Sequence, residues 1–194
     1  MLLLSEKLKD VPIMSLQTGT ELARTSAPII DPRDLSIPAF YVGGSQIDHT
    51  PSVLHTIDIR EAGELGFIID GSEKIMELDG LVRLQAILDL GFDIMKCTVH
   101  DRKGTKLGRV DDFSFDPQFF TVQQIYIRQP LLKSFSAASS IIARSQIVSI
   151  SANKIIVDIP TVTEEVTKKS EPSSSFVNPF RAQSPQLDQF DNDQ

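Results

Sequence analysis

The chain has 194 residues, with 19 Lys+Arg against 26 Asp+Glu, a formal net charge of −7, 41% hydrophobic residues and no Trp. That length holds one ordinary domain or two small ones, and the apolar fraction excludes a wholly disordered chain. A single cysteine, Cys97, excludes an internal disulfide and fits a reducing compartment.

At the N-terminus the apolar run Leu2-Leu3-Leu4 is cut short by Ser5, Glu6 and Lys7. A signal peptide needs an apolar stretch of roughly 7–15 residues, so none is expected. No stretch approaches the ~18 apolar residues of a spanning helix, and no lipidation motif is read. The expectation is a cytoplasmic protein that does not span a membrane, or one peripheral at a membrane-bound complex.

The chain then repeats itself. Gly19-Thr20-Glu21-Leu22 recurs as Gly104-Thr105-Lys106-Leu107, Arg24 as Arg109 and Asp31-Pro32 as Asp116-Pro117, all at an offset of 85. Val42 answers to Ile127. Beyond that, Ile59 matches Ile147 and Phe67-Ile68-Ile69 matches Ile155-Ile156-Val157 at 88. Such spacing reads as two copies of one unit, residues 1–79 and 80–160.

In copy one, strands are predicted at Val11 to Leu16, Ala27 to Ile30, Ala39 to Val42, Leu54 to Ile57 and Phe67 to Ile69. Copy two opens with a short helix. Leu81, Leu84, Ile87 and Leu88 lie on one face, with Asp79 as expected N-cap and Gly91 as stop. Strands follow at Ile94 to His100 and Leu107 to Phe115, joined by a hairpin turn at Asp101-Arg102-Lys103-Gly104. After the Asp116-Pro117 turn come strands at Thr121 to Ile127, Ile141 to Ile147 and Ile155 to Ile159, with Ala152-Asn153 as a turn. Five or six short strands in each copy predict a mainly β protein: two tandem small antiparallel β-barrels that close to remove their edges, with a short helix between them.

From Glu171 to Gln194 stand three Pro, four Ser, four Gln and two Asn without a period. Residues 161–194 are therefore expected to be a disordered tail, unable to bury enough apolar surface to offset chain entropy. Within it Phe176 and Phe180 are candidate anchors of a docking peptide.

The layout resembles the PRC-barrel family, named for the cytoplasmic domain of the photosynthetic reaction-centre H subunit. The likeness rests on Gly104-Thr105-Lys106-Leu107-Gly108-Arg109-Val110-Asp111-Asp112, the Asp116-Pro117 turn, the strand to Ile127, and the closing Ile147 to Ile150 and Ile155 to Val157. Copy one is more diverged, with Ala23 in place of Gly108 and Ser26-Ala27 in place of the Asp pair. The resemblance implies a non-enzymatic binding or assembly module, a protein-binding adaptor, at a membrane-bound or division-related assembly. The family also includes the C-terminal domain of the ribosome maturation factor RimM. That likeness implies the alternative, a ribosome-associated RNA-processing factor, although RimM-like proteins carry a different N-terminal barrel.

No catalytic, cofactor or metal pattern is read. His49, His55 and His100 lack ligand spacing, and Asp111-Asp112 face opposite ways in a strand. Gly63-Glu64-Leu65-Gly66 and Lys103-Gly104-Thr105-Lys106 read as turns, not phosphate loops. Ser134 to Ser140 reads as a loop, and Cys97 as a buried structural thiol. Charge says more. Residues 1–79 carry 6 basic and 13 acidic residues, and residues 80–160 carry 10 and 7. Arg102, Lys103, Lys106 and Arg109 gather on one hairpin. They are the candidate partner-binding residues, for an acidic protein partner, for copy one of the same or another chain, for the tail, or, less favoured in an acidic chain, for ribosomal RNA.

Overall fold

β-Branched and aromatic residues in short alternating runs, punctuated by Gly and Asp-Pro turns, give strands almost throughout. The computed structural model describes residues 1–158 except 46, 48, 49, 64, 65 and 129–139. The expected tail, with Phe176 and Phe180, lies outside the described residues, as do His49 and most of the Ser134–Ser140 loop.

In chain order the strands are β1 (Leu3–Leu4), β2 (Pro12–Ser15), β3 (Glu21–Ile29), β4 (Ala39–Gly43), β5 (Ser52–His55), β6 (Glu61–Gly63), β7 (Gly66–Ile69) and β8 (Ile75–Glu77). After helix α1 (Val82–Leu88) come β9 (Thr98–Asp101), β10 (Lys106–Asp116), β11 (Thr121–Arg128), β12 (Ser140–Ala143), β13 (Ile147–Ser151) and β14 (Lys154–Val157).

They form two seven-stranded sheets. The first runs β6-β7-β2-β3-β4-β5-β8 and the second β13-β14-β9-β10-β11-β12, with β1 added to β10. Apart from β1 and β8 the two orders coincide, including the single parallel pair in each, β2 with β7 and β9 with β14. Local irregularities coincide too. A register shift falls at Thr25/Ala27 in one sheet and at Val110/Asp112 in the other. Leu35 and Phe120, 85 residues apart, are both left-handed, with φ of 59° and 46°. Among the described residues neither ladder closes on itself, so the expected closed barrels are seen as two open sheets.

The two halves meet around one antiparallel bridge, Ser36 with Thr121. The Ile37 amide donates to the Phe120 carbonyl at 2.7 Å, and the Val122 amide donates to the Leu35 carbonyl at 2.9 Å. Each bond is the other shifted by 85 residues, which is the reciprocity a local twofold axis produces. Phe120 then projects into the first half, with its ring centroid 5.8 Å from that of Phe40 and 5.7 Å from that of Phe67. One hydrophobic core therefore draws on both sheets, from Ile13, Phe40 and Leu54 to Val99, Phe113 and Ile125.

Helix α1 covers the outer face of the first sheet. Leu84 and Ile87 are buried against Ile29, Ala39 and Val53, burial that is worth about 2 kcal/mol for each side chain. The helix stops at Gly91, whose φ is 60° and whose amide donates to Leu88. Its start differs from expectation. Leu81, not Asp79, is the N-cap, and no side chain caps it. The strand expected from Ile94 begins only at Thr98. The Asp93 carboxylate accepts the Met95 amide at 3.0 Å and winds Ile94–Lys96 into a 3-10 turn. In copy one, β3 starts at Glu21, well before the expected Ala27, because β2 pairs with its first half.

Candidate functional site

The basic hairpin is built by local chemistry. Gly104, with φ of 85°, donates to the Asp101 carbonyl, and the Asp101 carboxylate accepts the Thr105 amide at 2.8 Å. Desolvation pushes the Asp101 carboxyl up, but the bonds from Thr105 and the nearby Lys103 outweigh it and hold it below its ordinary value. The turn thus sets the register that follows.

That register aligns cations. Arg109 stands opposite Arg128 on β11 and opposite Thr98 on β9. Thr98 in turn stands opposite Lys154 on β14. Directly paired residues share a face, so Arg128, Arg109, Thr98 and Lys154 form one row across four strands, spanning about 14 Å at ordinary strand spacing. In the next row Lys106 stands opposite His100, and His100 opposite Ile156. The opposite face carries Val99, Val110, Ile127 and Ile155, all in the core.

Of the four expected residues, Lys106 and Arg109 belong to this face. Lys103 sits at the hairpin tip, and Arg102 is drawn to Asp158, 3.0 Å away. Sequence reading missed Arg128 and Lys154. Counting back from the Asp116-Pro117 turn would have paired Arg128 with Arg109. The placement of Lys154 depends on the parallel β9–β14 pair, which no local signal announces. Arg128 is neutralised by Asp111 at 2.6 Å, while Arg109, Lys106, Lys103 and Lys154 have no ion pair among the described residues.

The other candidates are structural. Asp112 accepts the Ser5 hydroxyl and the Phe113 amide, so the Asp pair serves an ion pair and a strand contact. Cys97 is fully buried, and desolvation, with Asp93 nearby, pushes its thiol up to about 11. His100 lies on the outer row, with its Nδ1 buried and without a hydrogen-bond partner. Among the described residues no group of three or more His, Cys, Asp and Glu is placed to hold a metal, and no helix is long and apolar enough to cross a membrane.

An apolar cleft of about 370 Å³ lies beside α1, lined by Ala27, Ile29, Tyr41, Leu88, Phe92 and Met95. It borders the edge of β3 at the place where, in the second half, β1 pairs with β10. Pro28 lies on that stretch of β3 and has no amide to offer an added strand.

No protein-family model matches the chain, and none of the curated proteins does.

Proposed function

We propose that the chain is a non-enzymatic adaptor, a protein-binding or assembly module made of two PRC-barrel-like halves. The single observation that carries this reading is the outer face of the second sheet. Arg109, Lys106 and Lys154 stand there without an ion pair among the described residues, and no group of three or more His, Cys, Asp and Glu among those residues is placed to hold a metal. The equal strand order of the two sheets and their reciprocal bonds support descent from one duplicated unit. A rigid scaffold with differently charged halves suits holding partners together, because charge complementarity fixes which surface meets which.

Crosslinking mass spectrometry in cells tests the reading, comparing the full chain with a version ending at Pro160. A reproducible protein partner linked through Lys103, Lys106 or Lys154 is expected. Crosslinks confined to ribosomal proteins, with co-sedimentation on ribosomal subunits, would replace it by the RNA-processing alternative. A chain without protein partners that turns over a small molecule would remove it.

A further inference from the structure

The two halves carry the same arginine in opposite electrostatic settings. In the first sheet Arg24 is satisfied internally. Its Nε and Nη2 donate to Glu21 at 2.7 and 2.8 Å, and its Nη1 lies 3.5 Å from the Asp10 carboxylate. Arg109 occupies the equivalent place, since Arg24 pairs with Pro12 and Gly43 as Arg109 pairs with Thr98 and Arg128.

Both carboxylates are missing around Arg109. The residue equivalent to Glu21 is Lys106, opposite His100 as Glu21 is opposite Met14. Asp10 precedes Val11, whose carbonyl accepts the Thr25 amide. In the second half the matching bond runs from Val110 to Cys97, and the residue before Cys97 is Lys96. Lys96 is held by Asp93 at 3.0 Å. The row neighbour differs as well: Arg128, paired with Asp111 at 2.6 Å, stands where the first sheet has Gly43.

We infer that Arg109, with Lys106 and Lys154, is a docking site for carboxylates of an acidic segment of a protein partner. This rests on the adaptor reading and names the chemistry of its partner. The first half itself displays the fit: a glutamate bound through both oxygens to the arginine fork. A carboxylate from outside would fill the position that Glu21 fills in the other sheet. Lys106 lies in the next row of the same strand and Lys154 two strands away in the same row, so a run of acidic side chains is favoured over a lone one.

The test measures fluorescence anisotropy of a labelled hexaglutamate peptide titrated with the full chain at low ionic strength. Parallel titrations use a hexauridylate and phosphatidylserine vesicles. Lys106→Glu recreates the Glu21–Arg24 arrangement in the second sheet, so it folds, as far-UV circular dichroism checks. It is expected to weaken hexaglutamate binding by at least about tenfold, as is Arg109→Gln. Arg83→Glu, the same charge change on exposed α1, is expected to stay within about twofold. The inference is overturned if hexaglutamate does not bind, if Lys106→Glu and Arg83→Glu weaken it equally, or if hexauridylate or vesicles bind more tightly. Should it fail while crosslinking still recovers a protein partner, only the site falls and the adaptor reading stands.

Discussion

Arg24 and Arg109 occupy one position in two sheets of equal strand order, yet Arg24 grips Glu21 through two hydrogen bonds and Arg109 has no ion pair among the described residues. The same scaffold therefore neutralises a charge in one half and presents it in the other. Exposed pairs like Arg24–Glu21 add little to stability, because solvent screens them. Replacing Glu21 by lysine at the equivalent position, Lys106, thus costs the fold little while changing what the face attracts.

Phe120 ties the halves together. Its ring meets Phe40 and Phe67, and its carbonyl accepts the Ile37 amide. Phe120→Ala is expected to cost about 3–5 kcal/mol. Because the core is shared, residues 1–160 should unfold in one transition in both forms. Urea denaturation followed by circular dichroism checks this. Two separated transitions in the parent chain would contradict a common core.

Gly66 has φ of 103°, and a Cβ there would come within 2.1 Å of the Pro12 carbonyl oxygen. The parallel β2–β7 contact leaves no room for it. Gly66→Ala is therefore expected to destabilise by about 3 kcal/mol or more, read as a lower urea midpoint. The equivalent position in the second half bears Lys154, so Lys154→Ala should leave the midpoint nearly unchanged.

Asp31 is buried, and the Arg33 side chain holds its carboxyl below the ordinary value against desolvation. It also accepts the Arg33 amide at 2.9 Å, shaping the turn that places left-handed Leu35. A folded pKa below the unfolded one means stability present above about pH 4 and lost as pH falls toward the folded value. Asp31→Asn should cost about 1–2 kcal/mol at neutral pH. The gap between the two proteins should narrow on acidification. Urea midpoints taken from neutral to acid pH measure it, and a constant gap would contradict the assignment.

With its thiol near 11 and its side chain fully buried, Cys97 should be slow toward thiol reagents in the native state. At mildly alkaline pH its thiolate fraction is about 100-fold below that of a free cysteine. Labelling by a chromogenic disulfide is expected only as the chain unfolds, with a rate that follows denaturant.

Much of this was legible locally. Gly104 and the two Asp-Pro pairs announced their turns, because positive φ and carboxylate-to-amide bonds are properties of three or four neighbouring residues. The apolar spacing of Leu84 and Ile87 announced α1 for the same reason. Where a side chain two residues away altered the backbone, as Asp93 does at Met95, periodicity misled and a strand was expected at Ile94.

The sequence by itself determined the mainly β character, the Gly and Asp-Pro turns and the 85-residue recurrence, since each depends on short-range sterics and spacing. Tertiary structure alone decided that Ser36 meets Thr121, that Phe120 completes the core of the other half, and that Lys154 joins Arg109 in one row. The substitution of Lys106 for Glu21 was plain in the aligned copies. Its meaning emerged only once Arg24 was seen folded onto Glu21, because electrostatics act through distance in space, and chain order does not fix that distance.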